Sequence, residues 1–236
     1  MLPALCLALA TRLAADGVAR VDGVLPAALA ADMRTVALAA AVGAPRQEVP
    51  LSLKSDAVAS AAAVVAASPV GSALEELCGG DAPLFDLCAV ISAPGAPIQP
   101  LHSDLGFDGA AAAPLYTCFV ALQATPSALG PTEFCVGSHV DAAAHSALRG
   151  QGGRLGDAVA FPLAAGAAVL FDPRIAHRGG PNSSERHRAF LSMTFANPRG
   201  SAPVIVPAPG DVLVSDGGIS ADDGGVWTLR DLRNML

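Results

Sequence analysis

The residues best suited to chemistry lie in one short segment, QPLHSDLGF, which places His102 and Asp104 two positions apart. In an extended strand, residues i and i+2 face the same side, so this imidazole and carboxylate would project together if the segment is a strand or a strand edge. Such a pair provides two ligands of the 2-His-1-carboxylate triad, which binds Fe(II) on one face and leaves positions open for substrates. Taken alone, the pattern is more typical of a surface His–Asp pair.

A third ligand would have to be another histidine. His177 ends the apolar run GAAVLFDPRIAH, which predicts a buried strand and a turn at the edge of the same β-structure. Arg188 then opens the apolar segment RAFLSMTF, where a buried cation is costly unless an anion neutralises it. A carboxylate that accepts both arms of the guanidinium is the natural partner. The sequence therefore offers two histidines and an aspartate for a metal, and an arginine for an organic acid.

The other histidines are expected to be structural. His139 should cap or pack at the rim of the β-structure, and His145 should face solvent from an alanine-rich helix. His187 should face away from Arg188, because neighbouring strand residues alternate between faces. Arg186 shares the face of Arg188 and remains the alternative basic residue.

The elements that must position these residues divide the chain into a helical front and a strand-rich back. Helices are predicted for the N-terminal segment with its Leu5, Leu9 and Leu13 face, and for 26–40, 56–67 and from Pro69 to Gly79. From Leu84 onward, short apolar runs are separated by Gly and Pro, which indicates strands of a sandwich or barrel. These runs are LFDLCAVISA, APIQPLH, LYTCFVALQ, TEFCV, AVAFPL, AAVLFD, HRAFLSMTFA and APVIVP. Tyr116 and Thr117 lie on one of them and are expected to pack in the core.

These patterns predict a single α+β domain with a mainly β core over residues 1–236. Its helical part covers about 1–80, its β core about 81–207 and its tail 208–236. The tail includes the Gly- and Asp-rich stretch SDGGISADDGG, with Asp222 and Asp223, which is predicted to be a solvated loop and could serve as a lid.

Composition excludes some classes of protein. The formal net charge is −7, and nucleic acid or an anionic membrane would need a basic surface. The N-terminus lacks the basic start of a signal peptide, and no apolar span is long enough to cross a bilayer. Five cysteines without a CxxC spacing fit buried thiols in a reducing compartment. We therefore expect a cytoplasmic protein, a monomer or weak homo-oligomer.

Three longer segments carry a specific resemblance. ISAPGAPIQPLHSDLGF, GPTEFCVGSH and AHRGGPNSSERHRAFLSMTF resemble the phytanoyl-CoA hydroxylase-like family of Fe(II)/2-oxoglutarate dioxygenases, and the similarity extends from about Leu13 to Pro198. The family fold implies a double-stranded β-helix, a cupin-like jelly-roll barrel flanked by N-terminal helices. The resemblance implies Fe(II), 2-oxoglutarate and O2 as cofactor and cosubstrates. It implies metal binding by His102, Asp104 and His177, a salt bridge from Arg188 to the distal carboxylate of 2-oxoglutarate, and cosubstrate hydrogen bonds from Gln99 and Thr132.

Two positions depart from the family pattern. The sequence has VGSH, from Val136 to His139, where PGSH is frequent, and it has Gly179 where Ser is frequent. Neither position is a metal ligand. The second departure removes one potential hydrogen bond to the cosubstrate.

The resemblance implies hydroxylation of a small organic substrate with succinate and CO2 as co-products. Two alternatives remain open: a halogenase of the same superfamily, and a barrel that binds a metal or small molecule without turnover. The carboxylate of Asp104 argues against the halogenase, which needs an open position for chloride. Charged groups kept in a core without use argue against the second. Acyl-CoA, a small alcohol, an amino acid or a secondary metabolite all remain possible substrates.

Overall fold

The N-terminal part folds into helices close to the predicted bounds. A computed structural model of the chain describes residues 2–106, 109–110, 112–201, 212–213 and 226–236. The α-helices are α1 (Leu2–Asp16), α2 (Ala27–Ala39), α3 (Asp56–Ala67), α4 (Pro69–Cys78), α5 (Ala142–Leu148) and α6 (Leu229–Arg233). The boundary between α3 and α4 follows from local chemistry: the hydroxyl of Ser68 accepts the Val70 backbone N–H at 3.1 Å, and Pro69 occupies the first turn of α4.

The strands form a mainly antiparallel core. They are β1 (Val18–Val21), β2 (Arg46–Pro50), β3 (Leu84–Ser92), β4 (Leu115–Ala121), β5 (Thr132–Phe134), β6 (Val159–Ala160), β7 (Ala168–Phe171), β8 (His177–Gly179), β9 (Arg188–Ala196) and β10 (Val212–Leu213). Among the described residues, a larger sheet has the order β1-β7-β4-β9-β3-β2-β10, and a smaller one has the order β6-β5-β8. Of the strand pairs that the structure describes, only β10–β2 is parallel. The α+β prediction with a mainly β core is confirmed at this level.

Along each strand of the larger sheet, side chains alternate between two faces. One face packs against the helices, and the other faces the interior of the β core. On β2, Val49 belongs to the main hydrophobic cluster together with residues of α2, α3 and α4. Arg46 and Glu48, three residues and one residue before Val49, face the other side, where Glu48 lines a pocket and Arg46 contacts Ser92. On this side, Arg46, Ser92 and Arg188 form one cross-strand row, and Glu48, Val90 and Phe190 form the next. The sheet therefore carries its charged residues on the face away from the helices.

Some sequence expectations fail or lie outside the described residues. His145 is only 2% exposed on α5, so the prediction that it faces solvent is wrong. APIQPLH does not form a regular strand; only His102 makes an isolated antiparallel bridge, because Pro97 and Pro100 cannot donate ladder hydrogen bonds. APVIVP and the SDGGISADDGG loop lie outside the described residues.

Other expectations agree with the structure. Tyr116 is 8% exposed and belongs to the main hydrophobic cluster, while Thr117 is buried and shares a 3.0 Å hydrogen bond with Thr194. The four cysteines whose side chains are described are free and buried. Within the described residues, no single helix is both long and apolar enough to span a membrane; α3 and α4 meet that test only as a pair bent by 67°.

A buried ion pair fixes the turn between β7 and β8. Arg174, 1% exposed, donates to both carboxylate oxygens of Asp172 and to the carbonyl of Ala110 at 2.6 Å. The carbonyl of Pro173, in the same turn, accepts the backbone N–H of Asp104 at 3.0 Å. The turn therefore anchors the segment that carries Asp104.

We expect Arg174→Met to lower the free energy of unfolding by about 3–5 kcal/mol, because it leaves the Asp172 carboxylate buried without its cation. Arg20→Met is the matched control: Arg20 pairs with Asp22 at the surface, so about 1 kcal/mol or less should be lost. Urea unfolding of both variants measures the difference. Equal losses would contradict the importance of the buried pair.

Candidate active site

His102, Asp104 and His177 meet at one point between the two sheets. One possible ligand atom from each lies within 4.8 Å of the others, and no second such group occurs among the described side chains. The Nε2 atoms of His102 and His177 each lie 3.6 Å from a different oxygen of Asp104. Atoms bound at about 2.1 Å to a common ion can be no more than about 4.2 Å apart, so both separations suit a shared metal.

Backbone carbonyls orient both imidazoles. Nδ1 of His102 lies 3.0 Å from the carbonyl of Pro100, and Nδ1 of His177 lies 2.9 Å from the carbonyl of Ile175. A carbonyl can only accept, so each Nδ1 carries a proton, and in a neutral imidazole Nε2 then keeps its lone pair towards Asp104. Outer hydrogen bonds of this kind are typical of histidines that bind metals.

The two histidines come together through the backbone. His102 and His177 exchange N–H···O hydrogen bonds of 3.0 and 2.8 Å, which form the isolated bridge between the QPLHSDL segment and β8. The sequence predicted that His102 and Asp104 would project together from a strand or its edge. The structure brings them together through this single bridge and the Asp104 contact to Pro173.

Burial shifts the pKa of Asp104 and that of His177 in opposite directions. Desolvation raises the pKa of Asp104 to about 6, although nearby His102 lowers it in part. Desolvation also lowers the pKa of His177 to about 4, against the opposing effect of the Ile175 carbonyl. At neutral pH, Asp104 is therefore ionised and His177 neutral, which are the forms that bind metals.

Arg188 faces the same pocket. It is 2% exposed at the start of β9, donates to the Ser92 hydroxyl at 2.8 Å and to the Gly130 carbonyl, and lies over the Phe190 ring at 5.0 Å. Arg186 is exposed, and His187 is half-buried just before β9 begins. The structure thus brings Arg188, rather than Arg186, to the cluster.

Gln99 and Thr132 also line this pocket. Oε1 of Gln99 accepts the backbone N–H of Gly179 at 2.7 Å, and Thr132 is paired with Gly179 across β5 and β8. The pocket is open to solvent at one side, and about 350 Å³ of space lies between its walls when that opening is included. Its lining comprises Glu48, Val90, Gln99, His102, Asp104, Phe119, Thr132, His177, Gly179 and Arg188.

Arg46 is a neighbour of the site that the sequence did not reveal. Its guanidinium donates to the Ser92 hydroxyl at 2.7 Å and to the carbonyls of Pro97 and Gly180 at 2.6 and 2.7 Å. The Ser92 hydroxyl therefore accepts from both Arg46 and Arg188. The alternation of Arg46 and Glu48 in an extended segment was a usable signal, but nothing local showed that this face meets residues around 177–188.

The packing of Arg46 explains why position 179 is a glycine. A Cβ at this position would lie 2.3 Å from Nη1 of Arg46 and 2.7 Å from Oε1 of Gln99. Both groups are held by hydrogen bonds, so they cannot move aside without losing them. The position that frequently carries Ser in the related pattern is therefore filled here by side chains from β2 and the loop before His102.

We expect Gly179→Ala to lower the free energy of unfolding by about 1–3 kcal/mol, the usual range for overpacking. Gly156→Ala provides the control, since no atom lies within 4 Å of its added Cβ and its residue is exposed. Urea unfolding would measure this difference in the free energy of unfolding, with the same dependence on urea concentration expected for both variants. A Gly179→Ala protein as stable as the Gly156→Ala protein would show that Arg46 and Gln99 do not fill this space.

A match to a protein-family model shows which known proteins this chain is related to. The model for phytanoyl-CoA dioxygenase (PhyH) matches residues 13–190. The chain belongs to the phytanoyl-CoA dioxygenase family. This PhyH-family protein is accordingly an oxidoreductase of the dioxygenase type, and the six residues to which the resemblance assigned roles all line the pocket. No curated protein has a matching sequence.

Solved structures share the fold of this PhyH-family protein. The non-heme alpha ketoglutarate dependent epimerase SnoN from nogalamycin biosynthesis is 22% identical, with a TM-score of 0.68, over 97% of this chain and 99% of that one. HygX from Streptomyces hygroscopicus, solved with nickel and 2-oxoglutarate bound, is 14% identical, with a TM-score of 0.66, over 85% of this chain and 96% of that one. The non-heme monooxygenase ThoJ in its nickel complex is 24% identical, with a TM-score of 0.58, over 86% and 85%.

Proposed function

We propose that this PhyH-family protein is a non-haem Fe(II)- and 2-oxoglutarate-dependent dioxygenase that hydroxylates a small organic substrate, with succinate and CO2 as co-products. The observation that carries the proposal is the placement of His102, Asp104, His177 and Arg188 around one pocket. Such a pocket provides a metal site and a buried cation for an organic acid side by side. HygX, which has this fold, was solved with 2-oxoglutarate bound.

In this proposal, His102, Asp104 and His177 hold the iron. The separations of their ligand atoms, the orientation of both Nε2 atoms towards Asp104 and the ionised carboxylate all suit a divalent ion that keeps open positions. When bound, the iron supplies the activation of O2 that couples oxidation of 2-oxoglutarate to attack on a substrate C–H bond. The protein's part is to fix three ligands on one side, so that cosubstrate and O2 can enter from the other.

Arg188 would bind the distal carboxylate of 2-oxoglutarate. It is a permanently charged group held in a buried position by Ser92 and Gly130 before any ligand arrives. This preorganisation lowers the cost of ordering the site on binding. Thr132, on β5 of the smaller sheet, and Gln99, in the loop before His102, would add hydrogen bonds to the cosubstrate.

The finer fold is part of the proposal. The larger and the smaller sheet would be opposing walls of a jelly-roll barrel, with the metal between them, in a single domain over residues 1–236. Buried thiols fit a cytoplasmic location, where disulfides are rare.

Hydroxylation is favoured over halogenation by Asp104. With iron bound, its carboxylate would fill the position that a halogenase of this superfamily leaves open for chloride. The Asp104 backbone N–H donates to the Pro173 carbonyl, and the carboxylate faces both histidines. A barrel that binds a metal or small molecule without turnover is disfavoured, because it would keep the charged Arg188 and the clustered side chains buried without a catalytic role.

The test is metal-dependent turnover of 2-oxoglutarate. Metal-free protein given Fe(II), 2-oxoglutarate and O2 should form succinate. When a substrate is turned over under labelled O2 with chloride present, its product should contain one labelled oxygen atom. Iron-loaded protein that forms no succinate with any member of a metabolite panel would overturn the proposal. A chlorinated product would replace hydroxylation by halogenation.

A further inference from the structure

Gln123, two residues after the end of β4, has a side-chain amide that the folded chain leaves unpaired. Its Oε1 and Nε2 atoms are both buried, and neither has a hydrogen-bond partner among the described residues. Most buried polar side-chain atoms in proteins are hydrogen-bonded, and an unpaired one destabilises the folded state. A bound molecule that supplies the missing hydrogen bond would explain why this amide is buried.

Strand alternation turns Gln123 towards the interior of the β core. On β4, Phe119 lines the pocket, and Ala121 belongs to a hydrophobic cluster that joins the larger sheet to the smaller one. Val120 and Leu122, at the alternate positions, pack in the main hydrophobic cluster with the helices. Gln123 follows Ala121 by two residues and therefore continues the inward-facing series.

The pairing of β4 with β9 places Gln123 next to Arg188. The register continues past the end of β4, since the backbone N–H of Leu122 donates to the carbonyl of Ala189 at 3.1 Å. One position further, Gln123 comes opposite Arg188. Opposite residues of an antiparallel pair share a face, with their Cα atoms about 4.5–5.5 Å apart. The Gln123 amide therefore lies beside the buried cation on the pocket side of the sheet.

Ser92 lies on the other side of Arg188 in the same cross-strand row and provides a second hydrogen-bond donor. Its hydroxyl oxygen accepts from Arg46 at 2.7 Å and from Arg188 at 2.8 Å. Among the described residues, its own proton has no acceptor. A water molecule accepts two hydrogen bonds, whereas a carboxylate accepts about four and is attracted by the cation. A hydroxyl and an amide on either side of a guanidinium therefore suit a carboxylate.

We infer that Gln123 binds the distal carboxylate of 2-oxoglutarate through its amide N–H, beside Arg188. The inference rests on the proposed function, because it takes 2-oxoglutarate as the acid that Arg188 binds. Gln123 is not one of the clustered metal ligands, so its contribution is confined to the cosubstrate. Because the amide is unpaired until the ligand arrives, Gln123 favours cosubstrate binding at the expense of the stability of the ligand-free protein.

The test replaces the amide by an apolar side chain of similar size, in Gln123→Leu. Calorimetry on the full chain loaded with Zn(II), which does not turn over, would measure binding of 2-oxoglutarate and of 2-oxopentanoate. The second acid has the same 2-oxo acid end and chain length but lacks the distal carboxylate. We expect Gln123→Leu to raise the Kd of 2-oxoglutarate about tenfold or more, and to change that of 2-oxopentanoate by less than about twofold.

Thermal unfolding of the metal-free, ligand-free protein provides a second measurement. The Tm of Gln123→Leu should equal or exceed that of the unchanged protein, because the substitution removes an unpaired buried amide. Gln123→Glu, which keeps the size of the side chain, should also weaken 2-oxoglutarate binding, because the new carboxylate would pair with Arg188 in place of the ligand. Gln151→Leu, at an exposed position, is the matched control and should change none of these quantities.

Three results would each overturn the inference: an unchanged Kd of 2-oxoglutarate in Gln123→Leu, an equal weakening of both acids, or a lowered Tm of the ligand-free variant. The last two would show that Gln123 has a structural role instead. Binding of 2-oxoglutarate to the unchanged protein loaded with Zn(II) is measured first. Its absence would count against the proposed function, whereas the three results above leave that function intact.

Discussion

Asp104→Ala should lower metal affinity and 2-oxoglutarate turnover by more than about 100-fold. Loss of an outer partner of a metal ligand already costs about 10–100-fold, and here a ligand itself and its negative charge are removed. The remaining His102 and His177 would offer only two imidazole nitrogens to the ion. Calorimetric titration with Zn(II) and anaerobic loading with Fe(II), followed by succinate formation, measure both effects.

Thermal unfolding distinguishes a loss of metal binding in the Asp104→Ala protein from misfolding of that variant. Zn(II) should raise the Tm of the unchanged protein, because a ligand that binds only the folded state stabilises it. The Asp104→Ala protein should unfold cooperatively without metal and show no such rise. Asp32→Ala, at an exposed position on α2, is the matched control and should behave like the unchanged protein. Metal affinity within about tenfold of normal in Asp104→Ala would remove Asp104 from the site.

The sequence predicted the regular elements well where their signal is local. The apolar runs around Leu87, Phe119 and Leu191 became β3, β4 and β9, and the Pro69 start of α4 follows from its N-terminal chemistry. His145 was misjudged because alanines at helical spacing do not reveal which face is covered. α5 is short, and His145 turns inward to a buried position that composition alone does not mark.

The convergence of His102, Asp104 and His177 was predictable because histidine is rare in this chain, with five residues, and because the family resemblance singled out His177. The surroundings were not, because they depend on which strands become neighbours. Arg46 contacts Ser92, 46 residues away, and Gly180, 134 residues away. No periodicity links such positions, so the contribution of β2 to the pocket, including Glu48, becomes visible only in the assembled sheet.

Arg188→Met should raise the 2-oxoglutarate concentration needed for half-maximal turnover by about 30-fold or more. Truncating one member of a buried, hydrogen-bonded charge pair costs about 2–5 kcal/mol, and each 1.4 kcal/mol is a factor of ten in affinity. Metal affinity in the absence of 2-oxoglutarate should change little, because Arg188 is not one of the clustered ligands. Steady-state succinate formation at varied 2-oxoglutarate, together with Zn(II) calorimetry, measures the two quantities separately.

Arg188 also donates to Gly130 and Ser92, so its loss would affect the packing between the sheets as well as the proposed ligand. Arg188→Lys addresses this point, since it keeps the positive charge but loses the two-armed guanidinium. We expect it to recover part of the 2-oxoglutarate affinity, which a purely structural role would not explain. Arg186→Ala is the matched control from the exposed turn before β9 and should shift the requirement by less than about twofold. An unchanged requirement in Arg188→Met combined with a raised one in Arg186→Ala would transfer the role to Arg186, the other arginine on that face in the sequence.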